Sequence, residues 1–507
     1  MTQPNVSGPL PRKSPFEVGV SSESIRRFLD AIRANGVELH NFMMLRHGAV
    51  VAEGAWHPYK LSNRHMQHSA TKSWTGAAVG LLVDDGAVRL DDPVIDYFPE
   101  HLPEHVSENL AAMTVRDLLT MRTGHRVGIS GGEWRGRSES WVRLFLDVPV
   151  EDKPGQNFMY GSGPSYMLSA IVSKATGKTA HELLDERMFE PLGINTVSWD
   201  LSPEGYNTGG NGISCSPEDM AKFGLLHLQG GAWHGRRILS EEWVRDATHN
   251  QVDQAWLGTL TGMRFSRGKD FQPSESEKRD GYGYQWWMTK EGCVASGFFG
   301  QRCYIFPELD VVLVFNSALP IDDKHLKNLI WMHLLPAVDG SSSSLSVTTD
   351  NILAAELGAL ALPGLPSGEP AVDRVSAISG RRWLATPNDD HIEWISLEFE
   401  RNRCLFSLKD HRGEHVIEVG LGKEIESVTT MTGNKLHHEY QPALLRVVAE
   451  GVWTSPERFL MNWRFIETTF CDTVVCTFDE TSAHFERSVN TNSAARVRPV
   501  VIASIAN

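Results

Sequence analysis

The stretch from residue 65 to residue 85 limits the fold of this chain more than any other. It reads His65-Met66-Gln67-His68-Ser69-Ala70-Thr71-Lys72-Ser73-Trp74 and continues through small and apolar residues to Val83-Asp84-Asp85-Gly86. Apolar or small side chains on nearly every face of 74–83 predict a helix packed on all sides, with Gly86 as its end. A domain must therefore be built around it. Ser69 and Lys72 are spaced i, i+3 at its start, so they share a helical face and the lysine can reach the hydroxyl. A serine at a helix start sits near unpaired N–H groups and the positive end of the dipole. Burial of the lysine disfavours its charged form by up to ~3–5 pKa units, which suits it to act as a general base. Taken alone, the pair is equally consistent with a capping serine and a surface lysine. A second copy, Ser266 with Lys269, lies among charged residues and glycine and is expected in a loop.

Around this helix the signals are mixed. Ser21-Ser22-Glu23 caps a helix whose Ile25, Phe28, Leu29 and Ile32 recur at helical spacing, and Gly36 ends it. Strands follow at 42–46 and 49–55. From 91 to about 280 the pattern is mainly helical: Thr114 with Asp117 forms a capping box, Ser216-Pro217 is a strong helix start, and 166–176 and 240–248 read as helices. Strands return at 281–288, 292–297, 302–306 and 311–316, with short connections that make them antiparallel neighbours. A helix over 323–335 closes the unit. The expected class is α/β (α+β): an antiparallel sheet flanked by helices, with a helical insertion between its first and last strands.

The 507 residues exceed one ordinary domain. A unit over 1–340, a linker over 341–370 and a β-rich C-terminal domain over 371–507 are expected; the last shows strand patterns at 392–400, 403–409, 458–466 and 473–478 and no cluster suited to catalysis. A net charge of −15 argues against nucleic acid or an anionic membrane as partner. No apolar run approaches the ~20 residues of a membrane span, and the N-terminal residues do not read as a secretory signal, so a cytoplasmic location is expected. The cysteines at 215, 293, 303, 404, 471 and 476 form no Cys-x-x-Cys pair and are expected reduced. His181-Glu182 lacks the second histidine of a zinc helix, so neither a metal nor another cofactor is expected.

One rival nucleophile exists. Gly128-Ile129-Ser130-Gly131-Gly132 spells a nucleophile elbow, but that elbow requires a strand before it and a helix after it, and the flanking residues read as loop.

The ordered set Ser69-Ala70-Thr71-Lys72, then Tyr160-Gly161-Ser162 before a helix, then Ala295-Ser296-Gly297-Phe298 entering a strand hairpin resembles the serine β-lactamase and penicillin-binding protein superfamily. Leu90-Asp91-Asp92-Pro93, the run 113–121, Glu190-Pro191-Leu192-Gly193 and the run 216–224 are similar to its class C-like branch of esterases, 6-aminohexanoate-dimer hydrolase, D-aminopeptidases and transesterases. The resemblance covers about the first two thirds of the chain.

That resemblance implies a β-lactamase/transpeptidase-like fold and an acyl-enzyme on Ser69, with Lys72 and Tyr160 sharing the proton transfers. It implies an oxyanion site from the backbone N–H groups of Ser69 and Phe298, and substrate contacts from Ser162, Ser296 and Gly297. Lys290-Glu291-Gly292 also spells part of the third motif but reads as a hairpin turn. The second motif ends in Ser162 where relatives often have asparagine. The third starts with Ala295 where they have lysine or histidine, which makes substrates with a carboxylate poor candidates unless Arg302 supplies the missing charge. The expected activity is hydrolysis of a small-molecule carboxylic ester or amide. Acyl transfer by the same residues, β-lactamase or D-aminopeptidase-like activity, and a catalytically silent binding protein are the alternatives. The oligomeric state is left open.

Overall fold

Two hydrophobic patterns in the sequence become two units in the computed structural model, Met1–Leu360 and Ala361–Asn507. It describes residues 8–129, 131–253, 255–261, 264–268, 278–321, 324–338, 345–368, 372–432 and 435–505.

In the first unit, helix α1 (Ser22–Ala34) is capped by the Ser21 hydroxyl accepting from Ser24 N and buries Ile25, Phe28, Leu29 and Ile32. Strands β1 (Leu39–Arg46) and β2 (Ala49–Ala55) form a hairpin turned at His47 and Gly48, both at positive φ. Helix α2 (Thr71–Asp84) is the apolar run, and Gly86 follows it at φ 70°. Helices α3 (Gly163–Thr176) and α4 (Pro217–Leu228) come from the helical insertion. Strands β3 (Trp287–Thr289), β4 (Gly292–Gly297), β5 (Gln301–Phe306) and β6 (Val311–Ser317) complete an antiparallel sheet in the order β3-β4-β5-β6-β1-β2. The first and last strands of the chain segment thus meet at the centre, with Met43 opposite Val314.

Because strand side chains alternate, the sheet buries both faces. Met43, Leu45, Val312 and Val314 join one core with Trp74, Ala78 and Leu82 of α2. Phe42 and Phe315 stack on each other and meet Phe28 of α1 on the opposite face. The small residues of α2 permit close approach: a Cβ on Gly80 would lie 2.3 Å from the Trp243 indole nitrogen. Trp74 stacks on Phe223 of α4 at 3.8 Å and meets Phe189 edge-on. A helix this enclosed can hold a polar group away from water.

Four local expectations change. The strand expected over 281–288 is ordered only at β3; before it, Gln285 adopts φ 66° and gives its backbone and side chain to neighbouring elements. The closing helix is α-helical over His325–Leu329 and continues as a π-helical turn over Ile330–Leu334, while its expected start at 323 lies outside the described residues. The segment 341–370, expected as linker, holds helix α5 (Val347–Gly358), which packs on α1 and β2 and belongs to the first unit; 341–344 and 369–370 lie outside the described residues. Ser266, expected in a loop, ends the second strand of a small hairpin, Thr259–Thr261 with Arg264–Ser266.

The second unit is built from strands β7 (Arg382–Ala385), β8 (Trp394–Phe399), β9 (Arg403–Asp410), β10 (Gly413–Leu421), β11 (Ile425–Thr429), β12 (Leu445–Ser455), β13 (Arg458–Arg464), β14 (Cys471–Phe478), β15 (Ser482–Val489) and β16 (Val501–Ile505). They pair in the order β10-β9-β8-β7-β16-β15-β14-β13-β12-β11, and a parallel pairing of β10 with β12 closes the sheet into a barrel. Alternating burial along β9 follows from that closure. Phe406, Trp463 and Phe485 pack inside it, beside a buried Asp472 paired with His437 and Arg487.

Candidate active site

Helix α2 begins at Thr71, so Ser69 precedes it rather than lying in its first turn. Ser69 lies in a single 3-10 turn, His68–Ala70, that runs directly into Thr71. His68 takes φ 47° to make this entry, and its ring meets Phe299 edge-on at 5.1 Å. Lys72 is then the second residue of the helix, and its side chain turns back so that Nζ lies 3.0 Å from Ser69 Oγ. It also donates to Gly210 O at 2.6 Å and lies 3.3 Å from Ser162 Oγ. No carboxylate accompanies it among the described residues, and burial pushes its pKa down from the usual lysine value to about 7. Lys72 can therefore give up its proton near neutral pH.

The loop carrying Gly210 is held against α2 by two hydroxyls. Thr75 Oγ1 donates to Gly209 O at 2.6 Å, and Thr71 Oγ1 accepts from Ile213 N at 3.2 Å. The contact is close enough to require glycine: a Cβ on Gly210 would fall 2.6 Å from Ser162 Cβ, and one on Gly209 would fall 2.3 Å from Ser165 O.

Ser162 is the N-cap residue of α3, and its N–H and that of Gly163 both donate to Ile129 O. This anchors the preceding Tyr160 in a cluster with Met121, Phe158, Val252, Ala255 and Tyr282, against which Leu257, Phe265 and Trp287 pack. The Lys72 Nζ lies 5.1 Å from the Tyr160 ring centroid. Burial pushes the Tyr160 pKa up, opposed by the nearby polar groups of Ser69 and Trp287 and by the charge of Arg302. Gln285 ties α3 to the helix over Val115–Leu119: it accepts from Ser165 Oγ at 2.5 Å and donates to Leu118 O and Leu119 O.

The third motif closes the far side. Ala295, Ser296 and Gly297 end β4, which abuts the Ser69 turn: a Cβ on Gly297 would lie 2.2 Å from Gln67 O and 3.2 Å from Ala70 N. Phe298 follows at the start of a tight turn in which Phe299 takes φ 61°. Ala295 is buried in the core, whereas Ser296 is partly exposed and pairs in register with Arg302 of β5. The Arg302 guanidinium donates to Gly297 O and Gln301 O. Lys290 and Glu291 form the turn between β3 and β4.

The fold thus gathers Ser69, Lys72, Tyr160 and Ser162 and brings the end of β4 beside them. Ser130 lies outside the described residues; Val127 before it makes an isolated bridge with Ser266, and a four-residue helix, Gly131–Trp134, follows where loop was expected. Lys269 also lies outside the described residues. Two participants escaped the sequence reading. Gly210 contributes only a backbone carbonyl, for which the run Thr208-Gly209-Gly210-Asn211-Gly212 was the available signal. Trp287 was read only as part of a strand.

A family model described as Beta-lactamase matches residues 25–330. The chain is similar to 6-aminohexanoate-dimer hydrolase of Paenarthrobacter ureafaciens, 27% identical over 301 residues that cover 56% of this chain and 73% of that protein. It is also similar to lovastatin esterase of Penicillium rubens, 28% identical over 201 residues, covering 35% of this chain and half of that protein. Among solved structures, a Bacillus anthracis protein described as a candidate 6-aminohexanoate-dimer hydrolase superposes with a TM-score of 0.50 at 19% identity, covering 66% of this chain and 88% of that one.

Proposed function

The chain belongs to the Beta-lactamase family, and from that premise we propose that it is a serine hydrolase that cleaves a carboxylic ester or small amide through an acyl-enzyme on Ser69. The observation that carries this reading is a buried lysine with no carboxylate partner among the described residues, its pKa pushed down to about 7 and its Nζ 3.0 Å from the Ser69 hydroxyl.

A neutral amine has two N–H donors and one lone pair. Gly210 O takes one donor at 2.6 Å, and Ser162 Oγ is within reach of the other at 3.3 Å. The lone pair then faces Ser69, whose proton passes to Lys72 as Oγ attacks the substrate carbonyl carbon. The C–O bond that forms gives a tetrahedral oxyanion, received by the backbone N–H groups of Ser69 and Phe298, where loss of one donor typically costs ~2.7–4 kcal/mol. Collapse breaks the bond to the leaving alcohol or amine, which takes a proton delivered through Tyr160 and Lys72. Water then repeats the sequence on the acyl-enzyme and releases the acid. Ser296 and Gly297 line the groove in which the acyl carbonyl lies.

A fluorophosphonate probe tests the reading directly. Labelling at Ser69 that disappears in Ser69→Ala, together with turnover of p-nitrophenyl esters, is expected. An unlabelled protein with no turnover across a graded chain-length series would instead support a binding protein on this fold. Adding an alcohol acceptor to the same assay separates hydrolysis from acyl transfer.

A further inference from the structure

The backbone from Gly297 to Gly300 has to present the Phe298 N–H in a fixed direction, yet it is a tight turn in which Phe299 takes φ 61° and Gly300 φ 90°. A bulky side chain in the left-handed region persists only where its surroundings over-determine it. Here the surroundings are side chains of the following strands. Gly297 O accepts from Arg302 Nη1, Phe298 O from Gln301 Nε2 at 3.1 Å, and Phe299 O and Gly300 O from Ser317 Oγ at 2.8 and 3.0 Å. The fit at the last of these is close enough to require glycine, since a Cβ on Gly300 would lie 2.0 Å from that hydroxyl.

Gln301, the first residue of β5, is the centre of this set. Its side chain is fully buried and both ends are in use: Nε2 also donates to Ser317 O at 2.9 Å, while Oε1 accepts from Asn316 Nδ2 at 3.0 Å and from Ser317 N at 3.3 Å. The backbone partners settle which end is nitrogen, because Phe298 O and Ser317 O can only accept and Ser317 N can only donate. Asn316 Nδ2 reaches on to Gln67 Oε1 at 3.4 Å, and Gln67 O accepts from Ala70 N at 3.1 Å, closing the turn that carries Ser69. A line of buried amides therefore runs from the Phe298 turn, past the end of β6, to the Ser69 turn. Those two turns carry the oxyanion donors.

We propose that Gln301, with Ser317 behind it, is a positioning residue for the oxyanion site: by holding Phe298 O against β6 it directs the Phe298 N–H toward the developing charge and keeps it in step with the N–H of Ser69. The inference rests on the acyl-enzyme reading above and on its oxyanion donors. Gln301 touches no reacting atom and exchanges no proton. It acts through the peptide groups on either side of residue 298, of which Arg302 holds one at Gly297 O and Gln301 the other at Phe298 O. Donors fixed in this way need no reorganisation as the tetrahedral oxyanion forms, so their effect falls on the transition state.

Gln301→Met keeps the length of the side chain and removes the amide. The expected result is a ~10-fold or greater fall in kcat on a neutral p-nitrophenyl ester with KM within about threefold, approaching the ~10²–10³-fold cost of losing an oxyanion donor outright. A trifluoromethyl ketone gives the second readout: Ser69 Oγ adds to its carbonyl carbon, the proton passes to Lys72, and the oxyanion left behind occupies the same site. Its affinity should fall by a similar factor. A fall in kcat smaller than about tenfold, or an undiminished ketone affinity, overturns the proposal and leaves Gln301 as a core residue. Ser21→Ala, which loses the cap of α1, is the control for stability. Its melting temperature should drop while kcat and ketone affinity hold; if both fall as in Gln301→Met, the positioning role is lost. If Gln301→Met does not fold, Ser317→Ala, which takes one hydroxyl from the same turn, replaces it: a joint loss of about threefold or more in kcat and ketone affinity supports the role, and a smaller loss in either removes it. Ser69→Ala is assayed in parallel. Turnover in that variant sinks the acyl-enzyme reading itself, whereas a silent Ser69→Ala beside an unaffected Gln301→Met sinks only the role of the buried amide.

Discussion

The Lys72 ammonium nitrogen lies 2.6 Å from the carbonyl oxygen of Gly210, a backbone group 138 residues away. That hydrogen bond persists whether the lysine is charged or neutral, so it fixes the nitrogen without holding its proton. A carboxylate in the same place would raise the lysine pKa and fill the lone pair. A carbonyl leaves it available.

Gly210→Ala tests this geometry. Its Cβ would meet Ser162 Cβ at 2.6 Å and Cα at 2.8 Å, both rigid, so the loop must move away from Lys72. Displacements of about 1 Å can cost ~10²-fold in rate, and a loss of that order in kcat is expected, with a lowered melting temperature because the clash is with rigid atoms. Wild-type turnover would mean that the carbonyl is dispensable.

The lysine also sets the pH behaviour. With a folded pKa of about 7, kcat/KM should rise with pH through neutrality as Lys72 becomes neutral. For stability the sign runs the same way: between about 7 and the ordinary lysine value of 10.5 the unfolded chain binds the proton and the folded chain does not, so burial of this residue becomes less costly as pH rises. Lys72→Met should therefore be inactive, and any gain in its melting temperature over wild type should be largest near pH 7 and shrink toward pH 10. A gain that is constant with pH would show that the folded lysine titrates normally.

Tyr160→Phe removes one oxygen from a packed ring and leaves no cavity of note. A rate loss of ~10²-fold or more is expected, the scale of a positioned acid–base group. Steady-state kinetics on a neutral p-nitrophenyl ester would show it, and an unchanged rate would return Tyr160 to the hydrophobic cluster.

The sequence exposed those parts of the site that impose a pattern. The Ser69–Lys72 pair is visible because the apolar run behind it can only be a buried helix, and capping at Thr114 with Asp117 and at Ser216 appears in the structure where the residues predict it. The Gly210 carbonyl shows only as a glycine-rich run, because a backbone acceptor leaves no side-chain signature. Trp287 lies in an aromatic run whose spacing reads as a continuous strand, whereas Gln285 breaks that strand at φ 66° to bond Leu118 and Leu119. Such long-range anchoring has no local pattern. Helix α5 was masked by its flanks, since Ser341–Ser344 and the Gly/Pro-rich residues after 361 carry the composition of a linker.

That helix changes where the chain can be cut. Asp350 accepts from Ser22 Oγ and, at 3.0 Å, from Phe16 N; Glu356 pairs with Arg26 at 2.8 Å; Leu353 and Leu357 are buried. Burying two leucines alone is worth ~1.5–3 kcal/mol each. A chain ending at residue 343 should therefore show a lower urea midpoint than one ending at residue 364, and the longer form should still be labelled at Ser69. Equal midpoints would make α5 an ornament of the first unit.

Substrate charge gives the last prediction. Position 295, at the head of the third motif, is a buried alanine that offers neither charge nor hydrogen bond. A cleft-bound carboxylate without a cationic partner carries a desolvation cost of several kcal/mol, and the net charge of −15 adds a long-range field against anions, screened beyond ~8 Å at physiological salt. Arg302 is a nearby group able to reverse this balance. Its guanidinium stands across from Ser296, acts on Tyr160 through its charge and is paired with no carboxylate among the described residues, but Nη1 is committed to the carbonyls of Gly297 and Gln301. That commitment draws the charge to the strand end, where it braces the turn that carries Phe298. Neutral esters should accordingly outrun penicillins and D-Ala-D-Ala peptides by at least ~10²-fold in kcat/KM, about 2.7 kcal/mol of transition-state stabilisation. Efficient nitrocefin hydrolysis that is lost in Arg302→Ala would show instead that the guanidinium leaves Gly297 O to take the substrate carboxylate.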